Sequence, residues 1–211
     1  HASARSSWPT VPRIAQRHAD NGRLHARRVA IWRSIMADFR MSDLITAQMM
    51  QESSNNPMAV SPSGATGLMQ IMPQHAHDLY GSSAPSVFDE ARARGFDTGS
   101  ESVGDAARLL RDPEINMALG DPYLRDLMRL YNGNIDHALT AYNAGPVAMN
   151  EMISSGGGVQ DMPHQEQREY AQKIRKLYLD KVGQEMPTTM DTMQLTRPKA
   201  RPMGLLEMTN G

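Results

Sequence analysis

Glu52 is the residue of this chain best suited to proton chemistry. It closes a run in which Leu44, Ile45, Gln48, Met49 and Glu52 recur at i, i+3, i+4 spacing, so its carboxyl ends a largely apolar helical face. Ser42 and Asp43 are the expected N-cap of that helix. Apolar surroundings disfavour an ionised carboxylate and hold its proton to higher pH, which is what a general acid requires. A turn-rich loop follows (Asn55, Asn56, Pro57, Ser61, Pro62, Ser63, Gly64), and Ser53, Ser61 and Gln70 return hydroxyl and amide groups toward the same region. Gly64 and Gly67 permit positive φ or close backbone approach there. A lone Glu at a helix end is ordinarily a solvated surface residue, so the signal lies in the combination.

The elements that must position these groups read as helices. Residues 1–12 lack periodicity and read as a tail, whereas Arg13 to Phe39 carries apolar residues at helical spacing with a basic opposite face, read as solvated. Residues 42–53 form the helix that ends on Glu52. Pro73 suits a first helical position, with the run continuing to Tyr80. Residues 81–104 read as an irregular insertion with one helical turn at 88–94, and a further helix starts at Gly104 or Asp105 and runs through Leu110. Asp112, Pro113 and Glu114 give a cap, an N1 proline and an acidic first turn, and Pro122 predicts a kink or a restart capped by Asp121. Helices then follow from Ile135 to Asn143, from there to Ser155, and from Gln165 to Val182, the last stopped by Gly183. Residues 184–211 read as a tail or linker. The expected fold is mainly α: a single helical domain over 13–183, with a short irregular or β-like piece within 58–72.

Composition bounds the function. The 211 residues are 40% hydrophobic and 21% charged, which fits a globular chain. A net charge of −1 offers no bulk attraction for nucleic acid, and no apolar run approaches the length of a membrane span. There is no cysteine, hence no disulfide or thiol chemistry. With 17 Met against 3 Phe, flexible thioethers and aliphatics must fill much of the core. His75 and His77 stand at i, i+2 with no carboxylate-rich partner, poor geometry for a metal, and neither metal nor cofactor is implied.

Glu52-Ser53, then Ser61-Pro62-Ser63-Gly64-Ala65, then Gly67-Leu68-Met69-Gln70-Ile71-Met72-Pro73 resembles the leading motifs of the soluble lytic transglycosylases, relatives of goose-type lysozyme that cleave the glycan strands of peptidoglycan. Three later stretches fit the same family in order: Leu110 to Gly120, the run Ala141-Tyr142-Asn143-Ala144-Gly145-Pro146, and Glu166-Gln167-Arg168-Glu169-Tyr170. The motif-bearing part covers residues 42–180. The resemblance implies a lysozyme-like (goose-type) fold and assigns roles by position. Glu52 is the catalytic acid and base. Ser61 holds an N-acetyl group, Gln70 and Tyr142 position the acid and the sugar, and Asn143 and Asn116 line the groove. Ser53, Glu166 and Tyr170 support the site, while Met69 and Met72 wall the cleft.

Ordinary glycosidases need two carboxylates. Asp78, Asp89, Glu90, Asp97 and Glu101 are available, but none lies within a motif. The resemblance implies a route with one carboxylate, which closes a 1,6-anhydro ring on N-acetylmuramic acid and consumes no water. Two alternatives stand beside it. One is a hydrolytic lysozyme or chitinase-like enzyme using a carboxylate of the insertion, and the other is a cell-wall-binding module without activity. The expected partners are peptidoglycan strands and the other proteins of a virion or secretion apparatus. A chain beginning at His1 reads as a processed or excised fragment, while the absence of a visible signal peptide and the linker-like tails suit delivery to the periplasm as part of such an assembly.

Overall fold

Asp112 begins the central helix by accepting hydrogen bonds from the backbone of Glu114 and Ile115, with Pro113 at the first helical position. In the computed structural model of the protein, residues 40–190 are described. The expected N-terminal tail, the helix over 13–39 and residues 191–211 lie outside them. Among the described residues seven α-helices follow one another: α1 (Met41–Ser53), α2 (Val87–Ala93), α3 (Val103–Leu109), α4 (Pro113–Leu130), α5 (Ile135–Ala144), α6 (Pro146–Ser154) and α7 (Gln165–Val182). The fold is thus mainly α. Among the described residues extended structure is confined to isolated bridges, Val60 with Thr66 and Thr66 with Ile71 in the loop after α1, and Asn134 with Thr189.

Helix α5 is the hub, packing against α4, α6 and α7, while α7 also covers α1. Leu44, Leu119, Leu124, Met128, Ile135, Leu139, Met149 and Ile174 are fully buried between them. Burying aliphatic side chains of this size stabilises the fold by about 1.5–3 kcal/mol each, which is what fixes the mutual placement of helices carrying separate parts of the cleft.

Several local expectations change. Helix α1 starts at Met41, so Ser42 and Asp43 fall inside its first turn and do not cap it; Asp43 is buried 3.8 Å from Lys181 of α7. The helix expected from Pro73 to Tyr80 is a single 3-10 turn, Pro73–His75, followed by further turns. There the backbone bonds run to the third residue back, and the Ala76 carbonyl is taken by the N–H of Val87, so no α-helical ladder can propagate. Helix α3 begins one residue before the expected start, because Ser102 and Asp105 form a reciprocal capping box. Pro122 neither ends nor restarts α4. The helix continues through it, and the Asp121 carboxylate, expected as a cap, pairs instead with Arg125 at 2.6 Å.

The expected boundary at Gly183 also moves. Gly183 ends α7 in the left-handed conformation, but the chain then turns back onto the domain. Met186 and Met190 are buried, Ile135 donates its N–H to Thr188 O at 3.0 Å, and Met190 donates to Gly133 O at 2.8 Å. Arg175 of α7 reaches the carbonyls of Met186 and Pro187. Residues 184–190 are part of the domain because they bury apolar surface and pair their backbone.

Candidate active site

A cleft of about 510 Å³ opens between the end of α1, the loop after it, and the helices α4, α5 and α7. Glu52, Ser61, Gln70, Met72, Tyr142, Asn143, Glu166 and Tyr170 all line it, although 114 positions separate the first from Glu166 in the chain (166 − 52). Glu52 as a residue is half-buried because it faces the cleft, yet its carboxyl is closely surrounded by protein. Burial pushes it up to about 7; the hydrogen bond from the Tyr170 hydroxyl opposes that rise, and the negative charge of Glu166 adds to it. Burial likewise raises the phenols of Tyr170 and Tyr142 well above their ordinary range, so both remain protonated beside the acid. Tyr170 in turn accepts a hydrogen bond from Nε2 of the buried Gln48, one turn before Glu52 on α1, at 3.3 Å.

The loop between α1 and the 3-10 turn is held largely by side chains outside the cleft lining. Asn116 of α4, expected to line the groove, is fully buried. Its Oδ1 accepts the N–H of Met69 at 2.9 Å, and its Nδ2 donates to the carbonyls of Thr66 and Leu110, each at 2.9 Å. The amide is fully engaged by backbone and cannot meet a ligand; it is a brace for residues 66–69. A Cβ on Gly67 would stand 2.2 Å from that amide and 2.3 Å from Leu110 O, and its φ is +84°, so only glycine fits. Met69, expected to wall the cleft, is also fully buried, its Sδ against Gly120 of α4, where an added Cβ would lie 2.3 Å away. Ser53 supports the loop from below, donating to Leu68 O at 2.9 Å. Tyr142 donates to Met69 O at 3.0 Å, which ties the aromatic wall to the same loop.

On the cleft surface Ser61 accepts the N–H of Ala65 and shares a hydrogen bond with Ser63, both at 3.0 Å, so its hydroxyl is held in a tight turn facing the cleft. Gln70 adopts φ +46° and donates through Nε2 to Gly67 O at 2.9 Å. Asn143 stands 3.5 Å from Glu166. The carboxylates in and beside the insertion are elsewhere: Asp89 and Glu101 pair with Arg92, Glu90 pairs with Arg94, and Asp78 and Asp97 accept backbone N–H groups of their own turns. None of them lines the cleft, where the second carboxylate is Glu166. Among the described residues no group of three or more His, Asp or Glu side chains converges as a metal site would require.

Beyond Tyr142, sequence patterns gave no notice of the aromatic side of the cleft. Tyr123 of α4 lies 5.1 Å from Tyr142 and 5.9 Å from Tyr80, and His75 is 5.2 Å from Tyr80, all distances between ring centroids. Tyr123 reads as one more apolar position of α4, and Tyr80 as the end of a helix that does not form. Neither carries a local signal of its neighbours.

Comparison with known proteins gives this arrangement a context. The family described as "Transglycosylase SLT domain" matches residues 36–162. The soluble lytic murein transglycosylase of Escherichia coli (strain K12) is 33% identical over 132 residues, taking in 59% of this chain and 18% of the relative. The membrane-bound lytic murein transglycosylase C of Edwardsiella ictaluri (strain 93-146) is 38% identical over 122 residues, 54% of this chain and 30% of that protein. The solved complex of a 70-kDa soluble lytic transglycosylase with bulgecin A superposes with a TM-score of 0.51 at 28% identity, over 73% of this chain and 24% of that one. The chain thus spans less than a third of the length of each of these proteins.

Proposed function

The chain belongs to the transglycosylase SLT domain family, and on that premise we propose that it cleaves peptidoglycan glycan strands with Glu52 as the single acid and base. The observation that carries the proposal is the Glu52 carboxyl itself: raised to about 7 by burial, open to the cleft, and oriented by the Tyr170 hydroxyl. An acid of that strength is protonated in part near neutral pH and becomes a competent base once it has given up its proton.

In the proposed reaction, Glu52 gives its proton to the oxygen joining N-acetylmuramic acid to N-acetylglucosamine, and the bond from that oxygen to the muramic C1 breaks. The acetamido oxygen of the muramic sugar bonds to C1 as the leaving group departs. The sugar's own C6 oxygen then displaces it, losing its proton to Glu52 and closing the 1,6-anhydro ring. Ser61, fixed in its turn at the cleft, holds the N-acetyl group. Gln70, Tyr142 and Asn143 orient the sugars, and Glu166 keeps the Glu52 proton in place through its charge. The reaction adds no water, so every product end is lighter by one water than a hydrolytic end.

A hydrolytic reading has one observation in its favour, the presence of Glu166 in the same cleft as Glu52. A hydrolase would use Glu166 to activate water and would leave reducing ends. Mass spectrometry of digested peptidoglycan separates the two: anhydro ends support the transglycosylase, while reducing ends that disappear in Glu166→Gln replace it with a hydrolase. The intact acid in its cleft disfavours an inactive wall-binding module. For the biological setting, the proposal extends to local wall opening in the periplasm, during phage genome entry or macromolecule secretion, beside other proteins of such an assembly. The linker-like composition of 1–12 and 191–211 supports this. Detection of the chain in purified virions, or co-purification with a secretion apparatus, tests it.

A further inference from the structure

Tyr80 stands at the rim of the cleft in a backbone conformation that an aromatic residue rarely adopts. Its φ is +54°, in the left-handed region where a Cβ is crowded and where glycine or asparagine would rest more easily. The turn is held there from several sides. Asp78 accepts the N–H of Gly81 at 2.7 Å, Ser82 donates to Leu79 O at 3.0 Å, Ser83 donates to Asp126 of α4, and Leu79 is buried beneath. Strain over-determined by its surroundings is a reason to ask what the side chain does.

The ring is not used by the core: Tyr80 remains 52% exposed. One side of it rests on Tyr123 at 24° between ring planes, with His75 alongside, and the other surroundings are the open cleft. The Tyr123 hydroxyl has no partner within the protein, unlike those of Tyr142 and Tyr170, so what Tyr123 supplies is a ring to lean on. Tyr142, Tyr123 and Tyr80 therefore make a connected aromatic run in the cleft that holds Glu52, and the polar groups of Ser61, Ser63 and Asn143 line the same cleft. A pyranose ring has the matching character, with C–H bonds on its faces and hydroxyl or acetamido groups around its edge. The electron-rich face of an aromatic ring attracts such C–H groups, while the edge groups can hydrogen-bond to the polar side chains of the cleft.

We propose that Tyr80 is the platform of an outer sugar subsite, carrying the face of an N-acetylhexosamine ring of the strand away from the bond that is cut. The assignment rests on the glycan reading of the cleft. It makes Tyr80 a binding residue whose backbone strain is retained for the position it gives the ring.

The test uses the full chain carrying Glu52→Gln, so that ligand persists, and titrates it with the N-acetylglucosamine hexamer by calorimetry. Tyr80→Gly in that background removes the ring and fits the positive φ, and Tyr80→Phe keeps the ring without the hydroxyl. The expected result is a roughly threefold to tenfold weaker Kd for Tyr80→Gly with an unchanged or higher Tm, and a near-parental Kd for Tyr80→Phe. Equal affinity of the glycine variant overturns the proposal, as does a glycine variant whose Tm falls together with its affinity, or a phenylalanine variant as weak as glycine. Absence of binding by Glu52→Gln alone overturns the glycan reading itself, and this assignment with it.

Discussion

The phenol of Tyr170 on α7 donates a hydrogen bond to the carboxyl of Glu52 at the end of α1, across 118 positions of chain. Two opposed influences meet at this contact. Burial keeps the proton on Glu52, and the phenol stabilises the carboxylate left when the proton departs. A group that must act first as acid and then as base needs both.

Glu52→Gln should leave glycan binding intact and reduce product release by at least about 10²-fold, since one residue serves both proton transfers. Asp89→Asn and Asp97→Asn, whose side chains lie outside the cleft, should retain substantial activity. Release of soluble muropeptides from purified walls measures both. An essential Asp89 or Asp97 would count against a single carboxylate.

Glu52 also predicts how stability follows pH. Its folded-state pKa, about 7, lies above the ordinary 4.5, so the folded chain holds this proton more tightly than the unfolded chain does. Its ionisation therefore costs no stability below about 4.5, and the cost grows as pH rises from there to about 7. Glu52→Gln removes that cost, so its Tm should match the parent near pH 4.5 and exceed it by a few degrees at pH 8. A variant less stable than the parent at pH 8 would contradict the buried, proton-holding carboxyl.

Tyr170→Phe removes the bond that favours the ionised form, so the pKa of Glu52 should rise. Activity requires the protonated acid and declines as pH increases through that pKa. The declining limb of kcat/KM should therefore move to higher pH by about one pH unit, the worth of a hydrogen bond to a charged group. Turnover should fall as well, because the carboxylate formed in the reaction loses its donor. A limb that stays in place would remove Tyr170 from the proton chemistry.

Asn116→Ala should act on stability rather than on ligand affinity. The three hydrogen bonds of its buried amide join α4 to the backbone of 66–69 and of Leu110, and losing them should cost roughly 3 kcal/mol. Denaturant unfolding reads that loss. A large rise in KM with unchanged stability would return Asn116 to the groove.

A chain ending at Gly183 should be less stable than one ending at Met190, by roughly 5–10 °C in Tm, because it leaves Ile135 and Gly133 without backbone partners and uncovers the surface under Met186 and Met190. Thermal unfolding of the two chains side by side decides it. Equal Tm values would mean that residues 184–190 rest on the domain without holding it.

The sequence by itself determined most of the helices. Asp112-Pro113, Gly145-Pro146 and Gly183 are local devices, and local devices fix where α4 starts, where α5 hands over to α6 and where α7 stops. That Glu52 ends an apolar helical face was legible for a related reason, since such a face is written in i, i+3, i+4 spacing, while its proposed role as the acid rests on the family motif that it opens. Tertiary structure decided which way the remaining residues point. Asn116 and Met69 sit in motifs of the family, but close packing at Gly67 and Gly120 turns both inward, and no spacing rule contains that neighbour. Pro122 stayed inside α4, its ring buried among the helices, because tertiary packing can outweigh the cost of a lost backbone bond. Tyr80, Tyr123 and Tyr142 come together only when the turn after Pro73, α4 and α5 are assembled, since ring contacts between segments far apart in the chain depend on the packing of whole helices.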